Sequence, residues 1–307
     1  MTGATGLLGR ALCGRLAAEE VPFRVLSRNP GRARSAVRGA ISYEKWEPIE
    51  RGAPWVASVQ GASAVVHLAS PLVRRSNWST EHSQVVYDNC VVGSRGIVSA
   101  VAQASARPPV FISASTVGYY PGDSEETPLD ETADGGGDFL GRLVADWEAA
   151  AAHVAEFGVR EVRLRLGLVL ARNGALRRLR AAARLGFGRP ASRGADFQPW
   201  IHVEDVVGLI LLAIEDERAR GPLNCVAPEA LSGNRFMACI RSQLGVRGGL
   251  PIPPRLVPGA VRVTAGRHVA PRGPASLGFH FAHPQLESAL RTLRRQARTA
   301  TARPSGS

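Results

Sequence analysis

Apolar runs rich in Val, Ile and Leu alternate along the chain with longer stretches in which apolar residues recur at helical spacing. Residues 7–20 (LLGRALCGRLAAEE) carry the helical period, while 23–28 (FRVLSR) and 41–46 (ISYEKW) read as strands. The run 63–70 (SAVVHLAS) is apolar enough for a strand buried on both faces; a helix follows over 91–104 and a second buried strand, VFISAS, over 110–115. A turn-rich segment from Pro121 to Gly137, with Asp123 in its first turn, leads into a long helix over 138–158, and 159–170 (VREVRLRLGLVL) returns as one strand. This alternation specifies an α/β fold, a doubly wound and mainly parallel sheet with helices on both faces. From about Gly186 short elements predominate, and 251–259 (PIPPRLVPG) reads as an irregular connection into a small C-terminal α/β lobe. The expected division is therefore 1–240 for the main domain, 241–293 for the lobe, and 294–307 as a disordered tail without apolar period.

Composition narrows the class. The 307 residues are 45% hydrophobic, enough for one large core and an appended lobe. No apolar run reaches the ~18 residues that a membrane helix needs, and no leader with a cleavage site is visible, so a cytoplasmic protein without membrane association is expected. Cys13, Cys90, Cys225 and Cys239 are scattered without metal-binding spacing and read as buried thiols. A net charge of +12 suggests an acidic partner, but Lys45 is the single lysine and the other basic residues are arginines spread over the whole chain. The run 172–184 (RNGALRRLRAAAR) spaces them as the solvated face of a helix, so no nucleic-acid partner is expected. A homodimer is compatible with the sequence.

Candidate chemistry begins at the first residues. Gly3, Gly6 and Gly9 form GxxGxxG immediately before the first helix. Such a loop can be a plain structural turn. It can also cradle a dinucleotide: the first glycine permits the tight turn, the second lets the backbone approach a pyrophosphate, and the third lets helix and sheet pack closely. At the end of the second strand, where an acid would bind an unphosphorylated ribose, stand Ser27 and Arg28. A guanidinium there suits a 2′-phosphate, so NADP is preferred and NAD is the weaker alternative. The strand that should feed this loop does not precede it; the expectation is that translation starts upstream, with Met1 standing where such loops carry valine.

These residues resemble the extended short-chain dehydrogenase/reductase superfamily, with its Rossmann-type domain. TGATGLLG (2–9) is similar to the superfamily's nucleotide loop, VVHLAS (65–70) to its strand flanking the cofactor, and NCVVGS (89–94) to its Asn-x-x-Gly-Thr helix. FISASTVGYY (111–120), DFLGRLVADWEAAA (138–151), RLGLVLARNGAL (165–176), WIHVEDVV (200–207), GPLNCVAP (221–228) and the segment 267–290 resemble a branch described as epimerase family proteins, including its small C-terminal domain. The resemblance covers almost the whole chain. It implies cofactor contacts from Gly3, Thr5, Gly6, Leu7, Leu8 and Gly9, from Leu68, Ala69, Ser70 and Asn89, and from Ser113 and Arg165; simple strand-end placement is the other reading of Arg165.

The superfamily uses a tyrosine as acid/base and a lysine four residues later. None of Tyr43, Tyr87, Tyr119 and Tyr120 has that lysine, and alignment on Glu148 puts Leu140 and Val144 at the two places. The remaining catalytic candidates are Ser115, or else Ser113, at the end of the fifth strand, and Tyr119 or Tyr120 just beyond it. A hydroxyl there can polarise a carbonyl or cap local backbone; a phenol can deliver a proton, if the cofactor's charge lowers its pKa, or line the pocket as a stacked aromatic. In WIHVEDVV, His202 and Asp205 read chiefly as a strand-to-helix junction. Phe279, His280, Phe281 and His283 suggest an aromatic patch over the sheet, and two histidines three apart without neighbouring carboxylates make a poor metal site, so no metal is expected. The expected function is an NADP(H)-dependent oxidoreductase or epimerase-like enzyme acting on a small molecule. The alternatives are an NADP(H)-binding sensor or regulator without turnover and a nucleotide-sugar epimerase.

Overall fold

The computed structural model describes residues 1–47, 54–70, 80–122, 124–189, 196–246, 249–253 and 256–301; Asp123 lies outside them. The first half of the chain contains α1 (Leu7–Ala18), β1 (Arg24–Ser27), α2 (Pro30–Ala36), β2 (Ser42–Lys45), β3 (Val65–His67), α3 (Thr80–Tyr87), α4 (Gly93–Gln103), β4 (Val110–Thr116), β5 (Ser124–Leu129) and α5 (Phe139–Ala152). The second half contains β6 (Arg160–Leu166), β7 (Leu168–Leu170), α6 (Ala175–Arg184), β8 (Phe187–Arg189), β9 (Trp200–His202), α7 (Val203–Glu215), β10 (Gly221–Cys225) and α8 (Gly233–Leu244). Then come β11 (Leu250–Pro251), α9 (Gly259–Thr264), β12 (Arg267–Val269), α10 (Arg272–Ser276) and α11 (Leu286–Thr301).

Strands β10, β6, β4 and β3 pair in that order and in parallel, and β1 pairs in parallel with β2. The two halves meet through the first two residues. Thr2 forms parallel bridges to both Leu26 of β1 and His67 of β3, its amide donating to the Val66 carbonyl at 3.0 Å while Leu26 donates to Met1 at 2.8 Å. Met1 and Thr2 thus hold the strand position between β1 and β3, and beside them a cavity of about 370 Å³ opens between Phe23 and Ala64. The order is that of a doubly wound Rossmann-type sheet, as the alternating pattern implies.

Both faces are covered. Leu12, Cys13 and Leu16 of α1 and Val206, Leu209, Ile210 and Ala213 of α7 bury one face together with Val25, Ile112 and Val162. Ile97, Val98 and Val101 of α4, with Trp55 and Val154, cover Phe111 and Val65 on the other. All seven residues of β4 are buried, as a central strand requires.

The C-terminal elements depart from the expected simple order. The stretch 159–170 is two strands, because the chain turns at Gly167: its amide donates to Cys225, whereas the next amide, of Leu168, donates to Pro199, and β7 goes on to pair with β9. A side chain at Gly167 would meet the Pro199 carbonyl carbon at 3.1 Å, which explains the glycine. The turn-rich segment contains β5, which pairs with β12, a contact between distant segments that local turn signals cannot reveal. A boundary at 240 falls inside α8, and the second core joins Leu168, Leu170, Leu176 and Leu179 to Phe236, Ile240, Leu286 and Leu290. The lobe therefore draws on residues well before 241. Residues 294–301, expected to be disordered, continue α11, whose Leu286, Ala289, Leu290 and Leu293 are buried against this core; 302–307 lie outside the described residues. Phe279 packs on Gly208 of α7 and edge-on to Phe281, rather than over the sheet.

Arg160 ties β6 to the end of α7: its guanidinium donates to the carbonyls of Ala213 and Ala219, both at 2.8 Å, and of Ile214 at 3.2 Å. A cation at a helix C-terminus also matches the helix dipole. Arg160→Met keeps the stem and strands these carbonyls, so urea denaturation should show a loss of about 2–3 kcal/mol.

Candidate functional site

The glycine loop lies at the C-terminal end of the sheet, where an open parallel sheet presents its ligand groups. Gly3 has φ +69°, and a Cβ there would stand 2.5 Å from the Leu68 carbonyl carbon; one at Gly9 would stand 2.3 Å from the Gly3 oxygen. Both glycines are therefore demanded by close backbone approach within the protein. Gly6 differs: its Cβ would meet the Gly3 oxygen at 3.2 Å, a tight contact, but the residue itself is exposed where Gly3 is half-buried and Gly9 buried. It is also the N-cap of α1, with no side-chain cap and no acid in the first helical turn. The leading amides of an α-helix lack intrahelical partners, and here they adjoin a glycine cradle, the arrangement that fits a diphosphate. Arg10 wraps back on the loop, its Nε donating to the Thr5 carbonyl at 3.0 Å.

The other expected cofactor residues surround this loop. Ser27 ends β1 and its Oγ accepts from the Asn29 amide at 3.2 Å, and Arg28 follows with its side chain exposed. Leu68, Ala69 and Ser70 continue β3 past the loop, half-buried; the Ala69 amide donates to Thr2 Oγ1 at 3.2 Å and Ser70 Oγ lies 3.3 Å from Cys90 Sγ. Leu7 reaches across to Gly174, where a Cβ would be 2.7 Å from its Cδ1, and Leu8 is half-buried on the core side. Asn89 turns its amide back onto its own helix, Nδ2 donating to Val85 at 2.7 Å.

Beyond the end of β4 the structure assembles a buried polar network that residue types alone do not disclose. Glu148 of α5 and Arg165 of β6 form a two-pronged ion pair, Nε to Oε1 at 2.9 Å and Nη2 to Oε2 at 2.8 Å, with side chains 3% and 4% exposed. Ser115 donates to the same Glu148 Oε1 at 2.6 Å. Arg165 Nη1 also donates to the Tyr120 oxygen at 2.9 Å, and Tyr120 donates to Asn224 Oδ1 at 2.7 Å. Asn224 passes the chain on, Nδ2 donating to Ala270 and its amide to Glu131, which also accepts from Gly273, both of these amide bonds being 2.9 Å. The network thus runs from α5 through β6 and β10 to the C-terminal lobe.

This placement changes the reading of the candidates. Arg165 is held inside the protein by Glu148, its guanidinium carbon 3.6 Å from the centre of the Tyr119 ring. Ser115 is buried and its proton is engaged by Glu148; Ser113 is buried in β4, paired in register with His67. Burial pushes the Tyr120 phenol up to about 12, outweighing the opposing pull of Arg165, the opposite of the lowering that acid catalysis needs. Tyr119, in the turn after β4, is half-buried and lies beside Gly135, the more accessible of the two phenols. Leu140 packs against Gly118 and Val144 is 2% exposed, so the two residues that the sequence resemblance sets at the tyrosine and lysine places both pack as apolar side chains. The residues that sequence reasoning missed are Glu148, used only as an alignment landmark, together with Glu131 and Asn224. A buried acid inside an otherwise apolar helix face was the available signal.

A second cluster stands at the start of α7. His202 caps the helix, its Nδ1 accepting the Glu204 amide at 3.2 Å, and His283 Nε2 lies 2.8 Å from Glu204 Oε2. The expectation that His283 has no carboxylate near it is corrected by the fold, which brings in Glu204 from a remote part of the chain. Among the described residues no helix is long and apolar enough to cross a membrane.

Residues 1–225 match the NAD dependent epimerase/dehydratase family. An Arabidopsis thaliana relative, "Epimerase family protein SDR39U1 homolog, chloroplastic", is 33% identical over 95% of this chain and 85% of its own length. Bacillus subtilis YfhF, another epimerase family protein, is 28% identical over 95% of this chain and 96% of its own. Among solved structures, human epimerase family protein SDR39U1 with NADPH superposes with a TM-score of 0.81 at 29% identity, covering 96% of this chain and 98% of that one. MoeE5 in complex with UDP-glucose and NAD shares the fold, with a TM-score of 0.77 at 20% identity over 98% of each chain.

Glu148→Gln leaves the Arg165 charge buried without its counter-ion and should lower stability by about 3–5 kcal/mol in chemical denaturation. For Tyr120, the folded protein retains between pH 10 and pH 12 a proton that the unfolded chain has released, so this group's contribution to stability falls as pH rises through that window. An ultraviolet titration of native protein should therefore show no phenolate missing from Tyr120→Phe at the lower end of the window. A missing phenolate there would place the Tyr120 hydroxyl in contact with water.

Proposed function

The chain belongs to the NAD dependent epimerase/dehydratase family, and on that premise we propose that it binds NADP(H) at the glycine loop and acts as an oxidoreductase or epimerase-like enzyme on a small carbonyl or carbinol compound. The observation that carries this reading is the uncapped α1 N-terminus behind Gly6, in a loop where Gly3 and Gly9 press against the protein and Gly6 alone faces outward. Amides of the first turn of α1 hold the diphosphate. Ser27 and Arg28 hold the 2′-phosphate of the adenosine ribose, the guanidinium serving where an acid would repel it. The NADPH in the human relative supports the same preference. When bound, the nicotinamide supplies or accepts a hydride.

The protein's own part in the reaction is carried out at the end of β4. Ser113 and Ser115 shape the floor, the latter as a positioning residue whose hydroxyl is fixed by Glu148. Tyr119 is the proton donor to the reacting oxygen, with the Arg165 charge against its ring. A second reading, an NADP(H)-binding protein without turnover, draws support from the engaged hydroxyls of Ser115 and Tyr120 and from the apolar Leu140 and Val144.

Calorimetric titration of the full chain with NADPH and NADH tests the cofactor assignment: NADPH should bind more tightly, and Arg28→Ala should weaken NADPH by about tenfold or more while leaving NADH nearly unchanged, the loss expected for a charge-assisted phosphate contact. Equal affinities in the wild-type protein would end that assignment. NADPH oxidation against a panel of carbonyl compounds, quinones and sugar nucleotides tests catalysis. Tyr119→Phe should lower kcat by about 10²-fold with NADPH affinity unchanged. Tight cofactor binding with no turnover on any member of the panel would favour the sensor.

A further inference from the structure

His202 ends β9 and caps α7, and the chain comes back to this helix end 77 residues after Asp205, whose carboxylate accepts the backbone amides of Ala282 at 2.7 Å and His283 at 3.2 Å. These two bonds hold the backbone of Ala282 and His283 at the first turn of α7. There His283 Nε2 lies 2.8 Å from Glu204 Oε2, while His202 Nδ1 lies 3.8 Å from the same oxygen and the two imidazole centres are 3.8 Å apart. One ligand atom from each of the three side chains lies within 4.8 Å of the others. We propose that His202, Glu204 and His283 form a binding site for a zinc-class divalent ion, which fastens α7 to the C-terminal segment.

The donor set is that of a three-ligand zinc site: two imidazole nitrogens and one carboxylate oxygen, with metal bonds of about 2.0–2.2 Å that set ligand atoms about 3.4 Å apart. The distances found from Glu204 Oε2, 2.8 and 3.8 Å, bracket that spacing, and on binding the two imidazoles, whose centres stand 3.8 Å apart at a 45° tilt, swing apart so that both nitrogens face one ion. Because His202 Nδ1 accepts the Glu204 backbone amide, its neutral ring carries the proton on Nε2, and an ion takes the Nδ1 lone pair in place of that amide. That Nε2 is buried with no hydrogen-bond partner among the described residues. A Ser or Asn would cap the helix without burying such a group, so capping alone does not account for a histidine at this position. Gln296 of α11 donates to Glu204 Oε1 at 2.9 Å and leaves Oε2 toward the histidines, as an outer partner orients a ligating carboxylate. Binding moves the His283 proton from Nε2 to Nδ1 and exchanges the Glu204–His283 hydrogen bond and the long cap bond for metal bonds. The half-exposed Glu204 leaves a side open to water for the remaining coordination position.

Tag-free, full-length protein freed of metal by chelation should take up one equivalent of Zn²⁺ in equilibrium dialysis, and Co²⁺ should give the visible bands of a low-symmetry site. Saturation at about 100 times Kd should raise Tm by about 5 °C, and Mg²⁺ should not. His283→Gln retains an amide donor to Glu204 but no ligating nitrogen, and should bind Zn²⁺ at least about 100-fold more weakly with no Tm response. Glu204→Gln provides the same test if His283→Gln fails to fold. His153→Ala, at the exposed His153–Glu156 pair, should leave stoichiometry and Tm response unchanged. Absence of uptake, or equal uptake by wild-type protein and both ligand variants, which means an adventitious ion only, overturns the proposal.

Discussion

The backbone of Met1 and Thr2 joins two groups of strands that, among the described residues, are otherwise not hydrogen-bonded to each other: Leu26 donates to Met1 on one side, and Thr2 donates to Val66 on the other. This link sets the depth at which the glycine loop emerges. Gly3 is pressed onto the Leu68 carbonyl and Gly9 onto Gly3 itself, so loop, first helix and β3 form one unit held by backbone contact. The Thr2 side chain adds to it, Oγ1 lying 2.8 Å from the buried His67 Nδ1 and accepting the Ala69 amide. Any dinucleotide bound at Gly6 rests on this small group of contacts. The open end of α1 is a consequence of the link, since a displaced loop would misdirect the helix amides.

The second determinant is the buried charge pair of Glu148 and Arg165. In a low-dielectric interior two ions are tolerated only with their hydrogen-bonding capacity met, and the surrounding groups meet it: Ser115 and Arg163 serve Glu148, and Tyr120 takes an Arg165 donor. Meeting that demand engages hydroxyls which, by position alone, would be candidates for chemistry. It also connects the Rossmann sheet with the C-terminal lobe through Asn224 and Glu131. The fixed Ser115 hydroxyl and the burial of the Tyr120 phenol thus have one electrostatic cause.

The C-terminal lobe follows a different logic. Its short strands pair with β5 and β8, its helices α8 and α11 pack with α6, and its return segment is tied down by Asp205. None of these pieces buries enough apolar surface alone, so each takes its place from a neighbour far away in sequence. The same return brings His283 to Glu204, a juxtaposition of groups 79 residues apart.

What the sequence by itself determined is whatever follows from short-range periodicity and backbone sterics. The succession α1, β1, β2, β3, α4, β4, α5 and β6, the GxxGxxG turn before α1, and the guanidinium of Arg28 after β1 were legible, because a buried parallel strand, a helix stripe and a glycine forced by close approach each leave a local mark, whereas the short α2, α3 and β5 between them were not. The tertiary structure alone decided the break at Gly167, the pairing of β5 with β12, the helical order of residues 294–301, and which of Ser115, Tyr119 and Tyr120 has a hydroxyl outside a buried network. The physical reason is the same in each case. These outcomes depend on partners supplied across long loops, through desolvation and hydrogen bonding, and such interactions leave no period in the chain.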